Sequence, residues 1–360
     1  MRIFIRLTET GKLFRLLPTG SNMTSCRAAV LAALLAVTLH SAQAARLIVF
    51  GDGLADDGNG ARLYAENATN TPNLEYPPAP YYDGRFTNGR VIPEYLAQYL
   101  NLTLFDFAIG GATSGATSSF FTIQPNTSDI PANYPTPRNV GVPSVLDQVT
   151  NYVNLTRGAI SAADYYCLIV GSNDYYDILG GANASVASIV SNIQQSAIAL
   201  YQGGVRKIVI AEVPPLQLTP FGQAQTAAVM TQLTTLVSQH NAVLSASVRN
   251  LSSTYPQGFF GILPTYEIVS SIASNPTRYG YTNASTQCYG TASQPVPAGT
   301  GALCAAPATH IFWDRLNPTT NVHQQIAATG ARELGYSAGV PAMAPAGQAP
   351  VPAPAGLIAG

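Results

Sequence analysis

Five short apolar runs, residues 47–50, 104–108, 165–170, 207–211 and 259–263, are separated by longer stretches whose apolar residues recur every three to four positions. Runs of four to six residues have the length of a strand buried on both faces, and are too short for a buried helix. The stretches 93–100, 145–153, 186–201 and 223–248 carry the helical period, and a last helix is predicted from Pro318 through His323 and Ile326 to about Leu334. Strands that alternate with helices cannot be joined as hairpins. They build a mostly parallel sheet covered on both faces, an α/β fold of three layers, α/β/α. Such sheets place functional groups beyond the carboxyl ends of their strands, where residues 51–58, 110–115 and 171–174 fall.

Residues 1–44 stand outside this alternation. Arg27 precedes the apolar run 28–39, and Ala42-Gln43-Ala44 supplies small residues for cleavage, the order of a secretory signal peptide. Met23 is a second candidate start. The apolar run is too short to span a bilayer, and no transmembrane segment is expected. The expected organisation is therefore a signal peptide over 1–44, one domain over 45–336 and an Ala/Pro-rich disordered tail over 337–360. Residues 116–142, rich in Ser, Thr, Pro and Asn, read as a surface excursion.

Only 10% of the residues are charged and the net charge is −1, without a basic stripe. Nucleic acid is thereby excluded as a partner, and a monomer is expected. Seven Asn-x-Ser/Thr sequons, at Asn67, Asn101, Asn126, Asn154, Asn183, Asn250 and Asn283, fit a secreted, extracellular glycoprotein, with the cell wall as one location. Cys26 leaves with the signal. Cys288 and Cys304 flank a Gly/Ser/Pro-rich loop and are expected to pair in an oxidising compartment. Cys167 lies in an apolar run and reads as a buried packing thiol. The remaining cysteines and the histidines show no metal-ligand spacing, so neither a metal nor a cofactor is expected.

Five motifs carry the chemistry. Residues 50–59 read Phe-Gly-Asp-Gly-Leu-Ala-Asp-Asp-Gly-Asn, with Gly53 at the strand exit. Residues 84–89 read Gly-Arg-Phe-Thr-Asn-Gly, residues 105–112 Phe-Asp-Phe-Ala-Ile-Gly-Gly-Ala, residues 171–175 Gly-Ser-Asn-Asp-Tyr, and residues 312–319 Phe-Trp-Asp-Arg-Leu-Asn-Pro-Thr. In this order they resemble the blocks of the GDSL (SGNH) lipase, esterase and acylhydrolase family, above all its secreted fungal and plant members. The resemblance implies a five-stranded sheet of flavodoxin-like order, 2-1-3-4-5. It also implies an ester-hydrolase site: a serine that attacks the carbonyl, a histidine that takes its proton, and an aspartate three residues earlier that orients the ring. Backbone amides and an asparagine side chain stabilise the oxyanion.

Carried over, Asp314 matches the orienting aspartate and Asn173 the oxyanion side chain. Gly111, ahead of Gly110, matches the backbone donor, and Gly53 keeps its own amide for the hole. The nucleophile and base positions are filled by Gly53 and Asn317, which offer neither a hydroxyl nor a base. The leading reading is a pseudoenzyme that binds an acylated carbohydrate or lipid. The others are an esterase with a relocated nucleophile, Ser114 or Ser172, and a structural wall glycoprotein. His310 could serve as a base only if its loop bends back, and His323 falls on a different helix face from Asn317. Asp52, Asp56 and Asp57 are expected to cap the following turn. The pairs Tyr81-Tyr82, Tyr165-Tyr166 and Tyr175-Tyr176 read as half-buried framework, and Trp313 as either pocket wall or core.

Overall fold

The computed structural model describes residues 45–67, 76–115, 119–120, 141–156, 159–290, 301–336 and 340. The expected signal peptide, the sequon at Asn126 and nearly all of the Ala/Pro-rich tail lie outside the described residues. Five strands, β1 (Arg46–Gly51), β2 (Thr103–Asp106), β3 (Tyr165–Ile169), β4 (Lys207–Ala211) and β5 (Phe259–Leu263), form one sheet in the order β2-β1-β3-β4-β5. Every pairing in it is parallel.

Side chains alternate across the sheet as the pleat requires. Leu47, Val49, Cys167, Ile169, Val209 and Ala211 enter one core, against α2 (Ile92–Leu100), α7 (Thr265–Ser274) and α8 (Thr320–Glu333). Ile48, Phe50, Tyr166, Leu168, Ile208 and Ile210 enter the other, against α3 (Val145–Leu155), α5 (Val186–Gln202) and α6 (Ala227–Thr254). The central strands β1, β3 and β4 are buried on both faces, which explains why they read as apolar runs, whereas the edge strand β2 is partly exposed. The result is the three-layer α/β/α fold.

Several boundaries differ from the sequence reading, each for a local reason. The last helix begins at Thr320, because Pro318 bridges back to Phe312 and the Thr319 N–H donates to the Ile311 carbonyl. α6 starts at Ala227, where Thr226 caps it, because residues 220–223 form a separate turn capped by Thr219. β2 stops at Asp106, whose Oδ1 accepts the Ala108 N–H at 2.7 Å and bends the chain away. The helices α1 (Asn59–Asn67) and α4 (Ser172–Leu179), together with α7, have eight to ten residues each and were not anticipated.

Candidate functional site

β1 ends where its backbone runs hard against β3. A Cβ on Gly51 would lie 2.4 Å from the Ile169 carbonyl oxygen, so only glycine fits. The α3 side chain Gln148 clamps this glycine, its Oε1 accepting the Gly51 N–H at 3.0 Å and its Nε2 donating to the Gly51 carbonyl at 3.1 Å. The chain then coils at once: the N–H groups of Ala55 and Asp56 both donate to the Asp52 carbonyl, and Asp52 Oδ1 accepts the Leu54 N–H. Gly53 sits at the tip of that turn.

Asp56, fully buried, accepts N–H groups from Gly58 at 2.8 Å, Gly60 at 3.0 Å and Gly110 at 2.7 Å, stitching the first motif to the second. Asp52 and Asp56 thus cap the turn, while Asp57 reaches Arg62 at 3.5 Å. Burial pushes the Asp52 carboxyl up to about 7 and that of Asp56 up to about 6.

One pocket at the carboxyl edge of the sheet is lined by Gly53, Gly110, Gly111, Asn173 and Asn317. Gly111 turns through a left-handed φ of +88°. Asn173 stands in the first turn of α4 and gives one of its two amide protons to the Ala112 carbonyl at 2.8 Å; the other is left to the pocket. The rest of the lining is mostly apolar, including Leu54, Phe86, Leu216, Val269 and Ile326. Sequence reasoning assigned these walls no role. Phe86 stands inside a quoted motif, but Leu216 and Val269 come from segments whose spacing carries no signal.

Asp314 lies just behind the pocket, fully buried. Its Oδ1 accepts the backbone N–H groups of Leu316 at 2.8 Å and Asn317 at 2.7 Å, and its Oδ2 accepts the Tyr81 hydroxyl at 2.7 Å. The Asn317 Nδ2 donates to both carboxylate oxygens, at 3.1 and 3.0 Å. Asp314 therefore grips the residue three positions on, as it would grip an imidazole. Burial raises its carboxyl above the usual range in spite of these bonds. Thr87 donates to the Pro318 carbonyl at 2.8 Å, and the Thr320 N–H donates to Asn88 at 2.9 Å, so the 84–89 motif fastens the 312–319 loop.

The substitutes for the missing groups are not assembled. Ser114 is buried and donates to Asp174 at 2.7 Å. Ser172 lines the pocket, but no histidine does among the described residues. His310 faces Ala306 and Cys304, at 3.2 and 3.6 Å, and its loop does not bend back; His323 is buried in the core. His240, unremarked in the sequence, is also buried, bonded through Nδ1 to the Tyr175 hydroxyl at 2.7 Å and pushed down to about 4 by desolvation.

Cys288 and Cys304 form a disulfide and Cys167 is a buried free thiol. Cys288, Cys304 and His310 form a metal-type cluster among the described residues, but the disulfide takes both sulfurs. Trp313 is core, stacked on Tyr289 with ring centroids 5.4 Å apart. Of the six paired tyrosines, Tyr176 alone lines the pocket. No helix among the described residues is long and apolar enough to cross a membrane.

A wholly parallel three-layer sheet, with a glycine- and asparagine-lined pocket at the exit of its β1 strand and an aspartate behind it, is the architecture of an SGNH-type ester hydrolase. Residues 47–329 match the family model of GDSL-like lipases and acylhydrolases, and the chain belongs to that family. It is similar to the thermolabile hemolysin of Vibrio parahaemolyticus, at 24% identity over 290 residues, 78% of this chain and 62% of the hemolysin. It is also similar to a GDSL esterase/lipase of Arabidopsis thaliana, at 25% over 322 residues, 78% of this chain and 84% of that one. With the phosphatidylcholine-sterol acyltransferase of Aeromonas hydrophila it shares 24% over 343 residues, 83% and 93% of the two chains. The chain thus spans less than two thirds of the hemolysin's length. Among solved structures, a lipolytic G-D-S-L family member from Veillonella parvula aligns with a TM-score of 0.41 at 11% identity, covering 81% of this chain and 98% of that one.

Proposed function

We propose that this chain is a secreted GDSL-family protein that binds acyl or acetyl esters of carbohydrates or lipids, as a monomer, without efficient hydrolysis. The observation that carries the reading is the Asp314–Asn317 pair facing a nucleophile position without a side chain. A carboxamide has no useful basicity near neutral pH, and Gly53 has no hydroxyl to acylate. Loss of such a nucleophile or its base costs roughly 10⁶ in kcat in a serine protease, where the oxyanion hole and binding retain roughly 10³–10⁴ over water. The pocket keeps its donors and apolar walls, so binding outlasts turnover. Relatives named for esterase, lipase and acyltransferase action supply the ligand class.

The test is hydrolysis of p-nitrophenyl acetate, with labelling by a fluorophosphonate, on the natural chain. Neither product nor label is expected. Turnover blocked by the label would point to Ser172, the serine that lines the pocket, and would sink this reading. Secretion and glycosylation are supported by the exposed sequons Asn101, Asn154, Asn183 and Asn250. Among the described sequons Asn283 is the least available, its carboxamide holding the Thr286 N–H and hydroxyl at 2.9 and 2.6 Å. Glycosidase treatment of protein secreted from a eukaryotic host should lower its apparent mass, and no shift would count against the glycans.

A further inference from the structure

We infer that the pocket is built for the secondary amide of an N-acyl compound in preference to an ester, because Asn317 presents a fixed hydrogen-bond acceptor where a hydrolase holds its proton-shuttling base. This rests on the reading of the pocket as an acyl site without turnover.

The orientation of the Asn317 side chain follows from its partners. An ionised carboxylate only accepts hydrogen bonds, and a carboxamide donates only through Nδ2. Asp314 already accepts two backbone N–H groups and the Tyr81 hydroxyl, and the Asn317 Nδ2 lies 3.1 and 3.0 Å from its two oxygens. Turning the carboxamide over would set its oxygen against that carboxylate. Nδ2 is therefore committed to Asp314, and Oδ1 is the polar atom that Asn317 leaves to the pocket it lines. No partner takes Oδ1 among the described residues.

A ligand seated as an acyl ester would be has its carbonyl oxygen at the donors. Here these are the Gly53 N–H and the Asn173 Nδ2 proton not given to Ala112. Its acyl chain then lies among Leu54, Leu216, Val269 and Ile326. The atom next to the carbonyl carbon, on the leaving-group side, falls at the base position. In a hydrolase the protonated histidine donates to that atom as it leaves. In this chain the group there accepts. An ester oxygen would meet Oδ1 lone pair to lone pair, leaving two acceptors facing each other as water is excluded. An amide N–H would donate to it. The absent Gly53 side chain and the short reach of asparagine compared with histidine leave room for the hydrogen. The same pair of substitutions that removes catalysis thus replaces a proton shuttle by complementarity to an N–H.

The test uses the natural chain and needs no variant. Calorimetric titration compares N-ethylhexanamide, its N-methylated tertiary amide and ethyl hexanoate, which share the acyl chain. The secondary amide should bind about 3- to 10-fold tighter than either of the others, the worth of one net hydrogen bond. Equal affinities for the secondary and tertiary amides, a preference for the ester, or no binding of the secondary amide up to its solubility limit would each overturn the inference. Release of hexanoic acid from the ester would instead overturn the underlying reading of no turnover, and is scored separately by gas chromatography. N-hexanoylglucosamine forms a further arm. Binding tighter than that of N-ethylhexanamide supports the inference and assigns a sugar-borne amide.

Discussion

A side chain fits at Gly53 and does not fit at Gly110. A Cβ on Gly53 would rest 3.5 Å from the Phe86 ring, an ordinary contact, whereas one on Gly110 would lie 2.1 Å from the same ring. Gly110→Ala should therefore cost about 1–3 kcal/mol by overpacking, seen as a lower urea midpoint, while Gly53→Ser should leave the midpoint almost unmoved. Serine alone stays protonated and weakly nucleophilic. Gly53→Ser/Asn317→His should hydrolyse p-nitrophenyl acetate faster than either single variant by roughly 10²-fold or more, because nucleophile and base act as a unit. A double variant no faster than the singles would mean that Asp314 and Asn173 no longer hold a working geometry. Gly111, Asn173, Asp314 and Asn317 were legible in the sequence because each is tied to a motif by a backbone or hydrogen-bonding demand, and Gly53 by its place inside the first motif alone. Leu216 and Val269 were not, since an apolar wall residue looks like any core residue until the fold places it.

The 312–319 loop hangs from a small ribbon, strands Asn283–Gln287 and His310–Phe312, rather than from the main sheet. The Cys288 N–H donates to the Phe312 carbonyl at 3.0 Å, and the Tyr289 N–H donates to the Trp313 carbonyl at 2.7 Å. Tyr81, Tyr289, Trp313 and Cys288 pack together beside them, and Tyr81 passes this rigidity on to Asp314. The disulfide joins residues 16 apart. Closing a loop of that size restricts the unfolded chain by about 3 kcal/mol, so Cys288→Ser/Cys304→Ser should melt earlier. A thiol reductant should lower the melting temperature of the natural chain and leave that of the double variant alone; an equal response in both would show that the bond contributes nothing. The central strands β1, β3 and β4 were legible as elements because burial on both faces made them largely apolar. The Asn283–Gln287 strand was not: it is half-exposed, its sequence Asn-Ala-Ser-Thr-Gln is polar, and its partner lies 20-odd residues away. The helix α4 escaped for a related reason: its sequence Ser-Asn-Asp-Tyr-Tyr-Asp-Ile-Leu is largely polar and buries only Asp174 and Tyr175, so no apolar period shows.

Across the whole molecule, buried ionisable groups gather near the carboxyl edge of the sheet, and their effects on stability oppose one another. Burial lifts Asp52 to about 7, and Asp56 and Asp174 each to about 6, so the folded chain holds protons that the unfolded chain has already released. Their stabilisation is whole below the ordinary carboxyl pKa and is lost as pH rises through about 6 to 7. His240, at about 4, and His323, at about 3, act the other way. The unfolded chain protonates these rings first, so their contribution grows as pH rises from about 3 or 4 towards the ordinary value of 6.5 and is constant above it. Bulk stability against pH therefore mixes both signs, and one substitution separates them. Asp52 is lifted past the ordinary histidine value, and its Oδ2 has no hydrogen-bond partner among the described residues while Oδ1 accepts the Leu54 N–H. Asp52→Asn keeps that acceptor and the size of the side chain and abolishes the charge. At pH 4 variant and natural chain should differ little beyond the effect of the swap itself. As pH rises to 8 the natural chain must ionise a carboxyl with a buried, unpartnered oxygen, and the variant should gain on it by a few kcal/mol, on the order of 1.4 kcal/mol for each unit of pKa shift. Urea unfolding of the two proteins at pH 4, 6 and 8 measures the gap. A gap constant across the three values would mean that the Asp52 carboxyl titrates alike in the folded and unfolded chains, and that water reaches the β1 turn more freely than its packing shows.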